Sequence, residues 1–163
     1  MTGKADFSED EWTRLKRAPF VAGMAISLAD PGGPIEVVKE TAATLKTVRE
    51  AAESGGRGEL VDALAREVVA DTRQRTNPLH DFKAKGALAG QQILEELAEA
   101  NRIVSAKAAP DEADTYREWL RTAAQEAANA AKEGGFMGFR AERVSEGEQR
   151  MLDKLAEVLA ESA

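Results

Sequence analysis

Along almost the whole chain, apolar residues recur every three or four positions, and this spacing restricts the fold more than any other feature. One such stripe contains Ile35, Val38, Ala42, Leu45, Val48 and Ala52. No segment shows the period-two alternation of a strand with turn residues around it. Because short turns rich in glycine and proline separate these runs, we expect an all-α fold, an antiparallel bundle of six or seven helices. The length of 163 residues fits a single helical domain over residues 1–163, with residues 1–7 as a flexible tail.

The start of the first helix is marked by a capping box, in which two side chains each bond the other residue's backbone N–H. Ser8 and Glu11 have the required spacing. Phe7 and Trp12 flank this box at the spacing of a hydrophobic staple. Pro19 lacks a backbone N–H, so we expect it to end or kink this helix.

The segment after the proline is apolar on almost every side, which is typical of a helix that is buried all round. It is therefore predicted to be the central helix of the bundle. Its expected core residues are Phe20, Met24, Ile26 and Leu28.

The remaining apolar runs predict four more helices. Two of them cover residues 59–75 and about 81–104. The third is capped by Asp111, and the last begins at a second capping box, Ser145 and Glu148. The helix over 81–104 has a spacing close to a heptad seam. The seam residues are Ala87, Gly90, Leu94, Leu97, Asn101 and Val104.

Charge and composition exclude several classes of function. The net charge of −7 predicts that the chain does not bind nucleic acid, because an acidic surface repels phosphates. The absence of cysteine excludes disulfides and thiolate sites, and it favours the cytoplasm. Residues 1–10 are too polar for a signal peptide. The longest apolar stretch, residues 18–29, is shorter than the roughly 20 residues of a transmembrane helix.

No catalytic, cofactor or metal motif stands out, so the sequence favours a non-enzymatic protein while leaving an enzyme open. A ferritin-like site needs two Glu-x-x-His pairs, and His80 is the one histidine. Glu95, Glu96 and Glu99 could share a hard cation, although a solvated helix face explains them equally well. We expect no tightly bound transition metal, because these metals prefer imidazole and thiolate ligands.

A loop near the C-terminus, residues 133–144, is the one candidate contact region. It contains Phe136, Met137 and Phe139 between glycines, followed by Arg140 and Arg143. Large apolar residues in a loop are normally covered. They either close one end of the bundle, contact a partner or ligand, or insert shallowly into a membrane.

Two segments resemble a family of small uncharacterised bacterial all-helical proteins, of the kind met in actinobacteria and cyanobacteria. They are APFVAGMAISLADPGGP at residues 18–34, followed by Val38-Lys39-Glu40, and EGGFMGFRAERVSEGEQ at residues 133–149. This family implies no activity for the chain. The capped last helix and the step Ala29-Asp30 also resemble tellurite-resistance TerB-like helical domains, at the level of the fold. The acidic, metal-associated positions of those domains have no recognisable match here.

Two classes of function follow from these patterns. The first is a non-enzymatic protein that acts through self-association or a protein partner, with the seam ending at Asn101 and the loop as its surfaces. The second is a small-ligand or metal-binding helical module, or an enzyme that uses carboxylates in a bundle cavity. An oligomer with a dry interior would favour the first, and a polar cavity with converging carboxylates would favour the second.

Overall fold

The computed structural model describes residues 2–29, 34–132 and 144–160, and 83% of these residues are helical, with no strand among them. The helices are α1 (Glu9–Ala29), α2 (Pro34–Ser54), α3 (Glu59–Arg73), α4 (Ala89–Lys107), α5 (Pro110–Lys132) and α6 (Glu146–Ala160). Short 3₁₀ turns occupy Lys4–Asp6 and Gly86–Leu88. The all-α bundle expected from the sequence is therefore confirmed. No helix in the described part of the chain is long and apolar enough to cross a membrane.

The first helix, α1, is the centre of the bundle and packs against all five other helices. Residue contacts between α1 and α2 give the relative direction of these two helices. Along α1, contacts move from Gly23 to Ser27 while their partners on α2 move from Thr44 back to Glu40, so α1 and α2 are antiparallel. The largest fully buried side chains include Tyr116 and Trp119 of α5, which fill the core beside α1.

Pro19 lies inside α1 and does not end it, so the first of the two expected effects of this proline is wrong. A proline at this position cannot donate a hydrogen bond to the carbonyl of Leu15, four residues earlier. The buried hydroxyl of Tyr116 donates to that carbonyl instead, at 3.1 Å. Burial, and then the charge of Glu96, hold the pKa of Tyr116 well above its ordinary value, so the hydroxyl keeps its proton. A partner from α5 thus satisfies the group that the proline leaves open.

The local signals at the helix starts are confirmed. Ser8 N–H donates to the Glu11 carboxylate at 2.8 Å, and Glu11 N–H donates to Ser8 Oγ at 3.2 Å. The rings of Phe7 and Trp12 are 5.7 Å apart, as expected for the staple.

The second capping box is also present at the start of α6, where Ser145 N–H donates to Glu148 at 2.9 Å. Glu148 N–H returns a bond to Ser145 Oγ at 3.2 Å. Gly147, in the first turn, presses against the end of α1. A Cβ atom at this glycine would lie 2.7 Å from the carbonyl oxygen of Ala29, so no side chain fits at position 147 without a shift of the backbone.

The N-terminal residues, which the sequence predicted to be a flexible tail, lie against the bundle. Thr2 is buried, and its N–H and hydroxyl donate to Glu112 of α5. Lys4 forms an ion pair of 2.8 Å with Glu67, which also accepts from the Trp12 indole at 2.6 Å. Burial raises the pKa of Glu67, but the hydrogen bonds from Lys4 and Trp12 outweigh it and leave that pKa below its ordinary value.

Two predicted helix starts were wrong. The fourth helix begins at Ala89 and not near Asp81, because Gly86 has φ of 72°, which is incompatible with a continuing right-handed helix. The fifth begins at Pro110, whose fixed φ suits the first helical position, so Asp111 lies within the first turn and is not the cap.

Two predicted core sets also need correction. In α1, Phe20 and Ile26 are buried, but Met24 is half-buried and Leu28 is 42% exposed. In α2, the predicted apolar stripe faces inward only in part. Val48 is buried and Leu45 and Ala52 are half-buried against the core, but Val38 is 67% exposed and Ala42 is exposed. The inner face of α2 also carries a polar series, Glu40, Thr44 and Thr47. The neighbours of a helix, and not its own hydrophobicity alone, decide which face is buried.

Candidate functional site

The loop residues singled out from the sequence, Phe136, Met137, Phe139, Arg140 and Arg143, lie outside the described residues. Their role as a contact region therefore stays a prediction.

The predicted seam on the fourth helix is internal in its second half only, so it is not an association surface as a whole. Leu97, Asn101 and Val104 are buried in the bundle, whereas Gly90 and Leu94 remain half-buried at its surface. Ala87 is exposed and precedes α4. The heptad-like spacing reports the packing of α4 within this chain.

The polar residue of that seam, Asn101, joins three helices. Its amide donates to the carbonyl of Val158 in the last turn of α6, at 3.0 Å. Its oxygen accepts from Arg117 Nε of α5 at 2.7 Å, and Arg117 also donates to Ser105 Oγ at 2.6 Å. Since helix-end carbonyls lack partners within their own helix, Asn101 acts as a cap for α6.

The three neighbouring glutamates of α4 do not converge. Glu96 accepts from Arg14 and Arg17 of α1 at 3.0 and 2.8 Å. Glu99 pairs with Arg102, and this hydrogen bond is the main reason why the pKa of Glu99 is lowered. Glu95 accepts from Gln91 and is exposed. Across residues 2–29, 34–132 and 144–160, no group of three histidine, aspartate or glutamate side chains could hold a metal ion.

His80 lies in the turn between α3 and α4. Its Nε2 is 2.8 Å from Asp81, its Nδ1 is 3.1 Å from the carbonyl of Asn77, and the side chain is about half exposed. These neighbours provide a local contact within the turn.

An open, mostly apolar groove of about 460 Å³ lies between α4 and α6. We call this region the α4–α6 face. It is lined by Gly90, Gln91, Leu94, Glu95, Ala98, Met151, Lys154 and Val158. Leu28, which is 42% exposed, lies over Gly90 at its edge, and Leu88, which directly precedes α4, is 62% exposed. The face therefore combines an apolar floor with one acidic and one basic side chain at its sides.

A second and more enclosed feature is a cavity of about 140 Å³ between α1 and α2. We call it the α1–α2 cavity. Its lining residues are Phe20, Gly23, Met24, Ser27, Glu40, Thr41, Thr44 and Leu79. Among the described residues, its lining has one carboxylate, from Glu40, and three hydroxyl groups. Two converging carboxylates are not found in this described part of the lining.

Comparisons with known proteins found no match for this chain among family models, curated proteins or solved structures. The two family resemblances and the cytoplasmic location therefore stay predictions.

Sequence reasoning missed both features for different reasons. The α4–α6 face depends on the contact between two helices that lie about fifty residues apart in the chain, which no local pattern reveals. The α1–α2 cavity did leave a signal, because Glu40, Thr44, Thr47 and Ala51 follow steps of four and three. This polar stripe runs beside the apolar stripe that we expected to face the core.

Proposed function

We propose that this protein acts through assembly with a second copy of itself, using the α4–α6 face, and has no catalytic role. One observation carries the proposal: apolar side chains of α4 and α6 line one groove, with Leu28 of α1 at its edge, and they stay partly exposed. Large contiguous apolar patches are uncommon on monomeric proteins and often mark interaction sites.

A second copy suits this groove because its charges are self-complementary. Glu95 of α4 and Lys154 of α6 both line it, and both are exposed. In a two-fold symmetric dimer the same surface is used by both copies. A two-fold axis through the groove brings Glu95 of each copy towards Lys154 of the other. Such pairing offsets the repulsion between two chains that each carry a net charge of −7.

The first test measures self-association by sedimentation equilibrium over a range of protein concentrations. Met151→Glu and Leu94→Glu place a charge on the floor of the groove and should shift the protein to monomer. Exposed positions on α2 supply controls for the changed net charge: Glu53→Lys and Lys46→Glu should leave association unchanged.

A charge-exchange experiment tests the symmetry directly. Glu95→Lys alone sets two lysines against each other across the interface, and Lys154→Glu alone sets two glutamates against each other. Each variant should weaken its own dimer by at least about tenfold, because like charges face each other. A mixture of the two variants should form a heterodimer of near wild-type affinity, since every facing pair is then opposite in sign.

Two results would refute the proposal. One is a wild-type protein that remains monomeric up to about 1 mM, the concentration scale of the weakest specific complexes. The other is a dimer that neither floor substitution disturbs, which would locate the interface elsewhere.

A further inference from the structure

The α1–α2 cavity has a polar, buried floor and an open rim. Phe20, Gly23, Glu40 and Thr44 are buried, with Glu40 only 3% exposed. At the rim, Met24, Ser27 and Leu79 are half-buried and Thr41 is exposed. A small molecule could therefore enter from solvent and reach a carboxylate that is itself withdrawn from water.

The helix α2, which supplies the Glu40 carboxylate, turns polar residues towards the inside of the bundle. Val38 and Ala42 of α2 point to solvent, while Glu40, Thr44 and Thr47 are buried. Burying glutamate in preference to valine works against stability unless its polar atoms have partners inside the bundle, and Glu40 does accept a hydrogen bond there. Departures from local sequence rules of this kind tend to occur at functional sites.

The polar floor is held in place by one bond between the two helices and one within α2. Ser27 of α1 donates to the Glu40 carboxylate. Thr44 Oγ1 donates to the Glu40 backbone carbonyl at 3.0 Å. Gly23 gives the space for this approach, because a Cβ atom there would lie 2.5 Å from Thr44 Oγ1. The carboxylate is thus fixed at the wall of the cavity before any ligand arrives.

From this arrangement we infer that the α1–α2 cavity binds a small protonated amine with a short apolar body. An ammonium group matches a carboxylate flanked by hydroxyl oxygens, since it offers several donors and the opposite charge. Phe20, Met24 and Leu79 supply an apolar wall for the body. A cavity of about 150 Å³ accepts benzene, so about 140 Å³ suits a ligand of roughly six non-hydrogen atoms.

This site shares no lining residue with the α4–α6 face, so either proposal can fail without the other.

The test compares ligands of equal shape and different charge. Cyclopentylamine and n-butylamine are titrated near neutral pH, beside cyclopentanol, n-butanol and butyrate. Binding is followed by calorimetry and by the amide NMR signals of Gly23 and Thr44. The amines should bind with dissociation constants of about 1 mM or lower and shift both signals. The alcohols should bind at least about tenfold more weakly, and butyrate should not bind.

Variants identify the group responsible. Glu40→Gln keeps the shape of the side chain and should reduce amine affinity to that of the alcohols. Thr44→Val keeps the volume, removes a hydroxyl from the floor and should weaken amines and alcohols alike, so it tests the site even if the glutamine variant does not fold. Glu50→Gln removes the same charge from an exposed position on α2 and should leave amine binding intact.

Equal affinity for amines and alcohols, or unchanged amine binding in Glu40→Gln, would overturn the assignment of an ammonium ligand. Absence of binding by all five compounds to the folded wild-type protein would overturn the site itself.

Discussion

Replacing Tyr116 with phenylalanine should destabilise the protein through the backbone of α1. The Tyr116 hydroxyl donates to the carbonyl of Leu15, and both residues are fully buried. That carbonyl has no bond from position 19, because proline carries no N–H. The substitution therefore removes a single oxygen atom but leaves a buried acceptor without this donor.

The expected cost is about 1–3 kcal/mol, the range for a buried polar group that loses its hydrogen bond. In a Pro19→Ala background the new backbone N–H can bond Leu15 itself. There the same change at Tyr116 should cost only about 0.5 kcal/mol, the lower end for the net value of one hydrogen bond. The two positions should therefore be coupled by about 1–2 kcal/mol.

A double-mutant cycle measures this coupling. Urea unfolding of the wild type, Tyr116→Phe, Pro19→Ala and the double variant is followed by circular dichroism, with m-values compared to check that unfolding stays two-state. An equal cost for Tyr116→Phe in both backgrounds would show that the hydroxyl does not substitute for the missing N–H. The reasoning about Pro19 would then be wrong.

Three further predictions concern the core, the loss of stability at acidic pH and the cap of α6. Ile26→Ala should cost about 2–5 kcal/mol of unfolding free energy and Leu28→Ala about 1 kcal/mol. Both changes delete three carbon atoms, but only the first leaves a sealed cavity. Equal losses of stability in urea melts at low protein concentration would contradict this. Glu67 has a lowered pKa in the folded protein, so its contribution is present above the ordinary value of 4.5 and is lost as the pH falls through the lowered pKa. Glu67→Gln should therefore be destabilising at neutral pH and progressively less so in acid, and parallel stability curves between pH 7 and pH 3 would rule this out. Asn101→Leu should cost about 1–3 kcal/mol, since the Val158 carbonyl loses its donor, and a calorimetric melt within error of the wild type would show that this cap contributes nothing.

Two of the helix starts predicted from the sequence are fixed by interactions between residues no more than five positions apart. The bonds of the two capping boxes and the contact of Phe7 with Trp12 close locally, so residue spacing determines them. That α1 continues through Pro19 could not be predicted, because the group that compensates for the missing N–H comes from Tyr116, on a helix distant in sequence.

The orientation of α2 also depends on its neighbours and could not be predicted from its own sequence. Its apolar stripe contains Val38 and Ala42, and the expectation that this stripe faces inward follows from hydrophobicity alone. The small and polar residues of α1 at this contact, Gly23 and Ser27, instead match Thr44 and Glu40 across the interface. A match of this kind exists only once two helices are paired, so the α1–α2 cavity could not be located from one chain segment at a time.

Gly23 and Gly147 each lie in close contact with another helix, and they restrict substitutions in different ways. At Gly23 the crowding atom is the hydroxyl of Thr44, so a larger residue at 23 can be tolerated when 44 becomes smaller, and the two positions should vary together. At Gly147 the crowding atom is the backbone oxygen of Ala29, which every amino acid possesses. No second substitution relieves that contact. In related sequences that keep the contact of α6 with α1, position 147 should remain glycine while the residues around it change. This glycine can therefore serve as a reference position when such sequences are aligned.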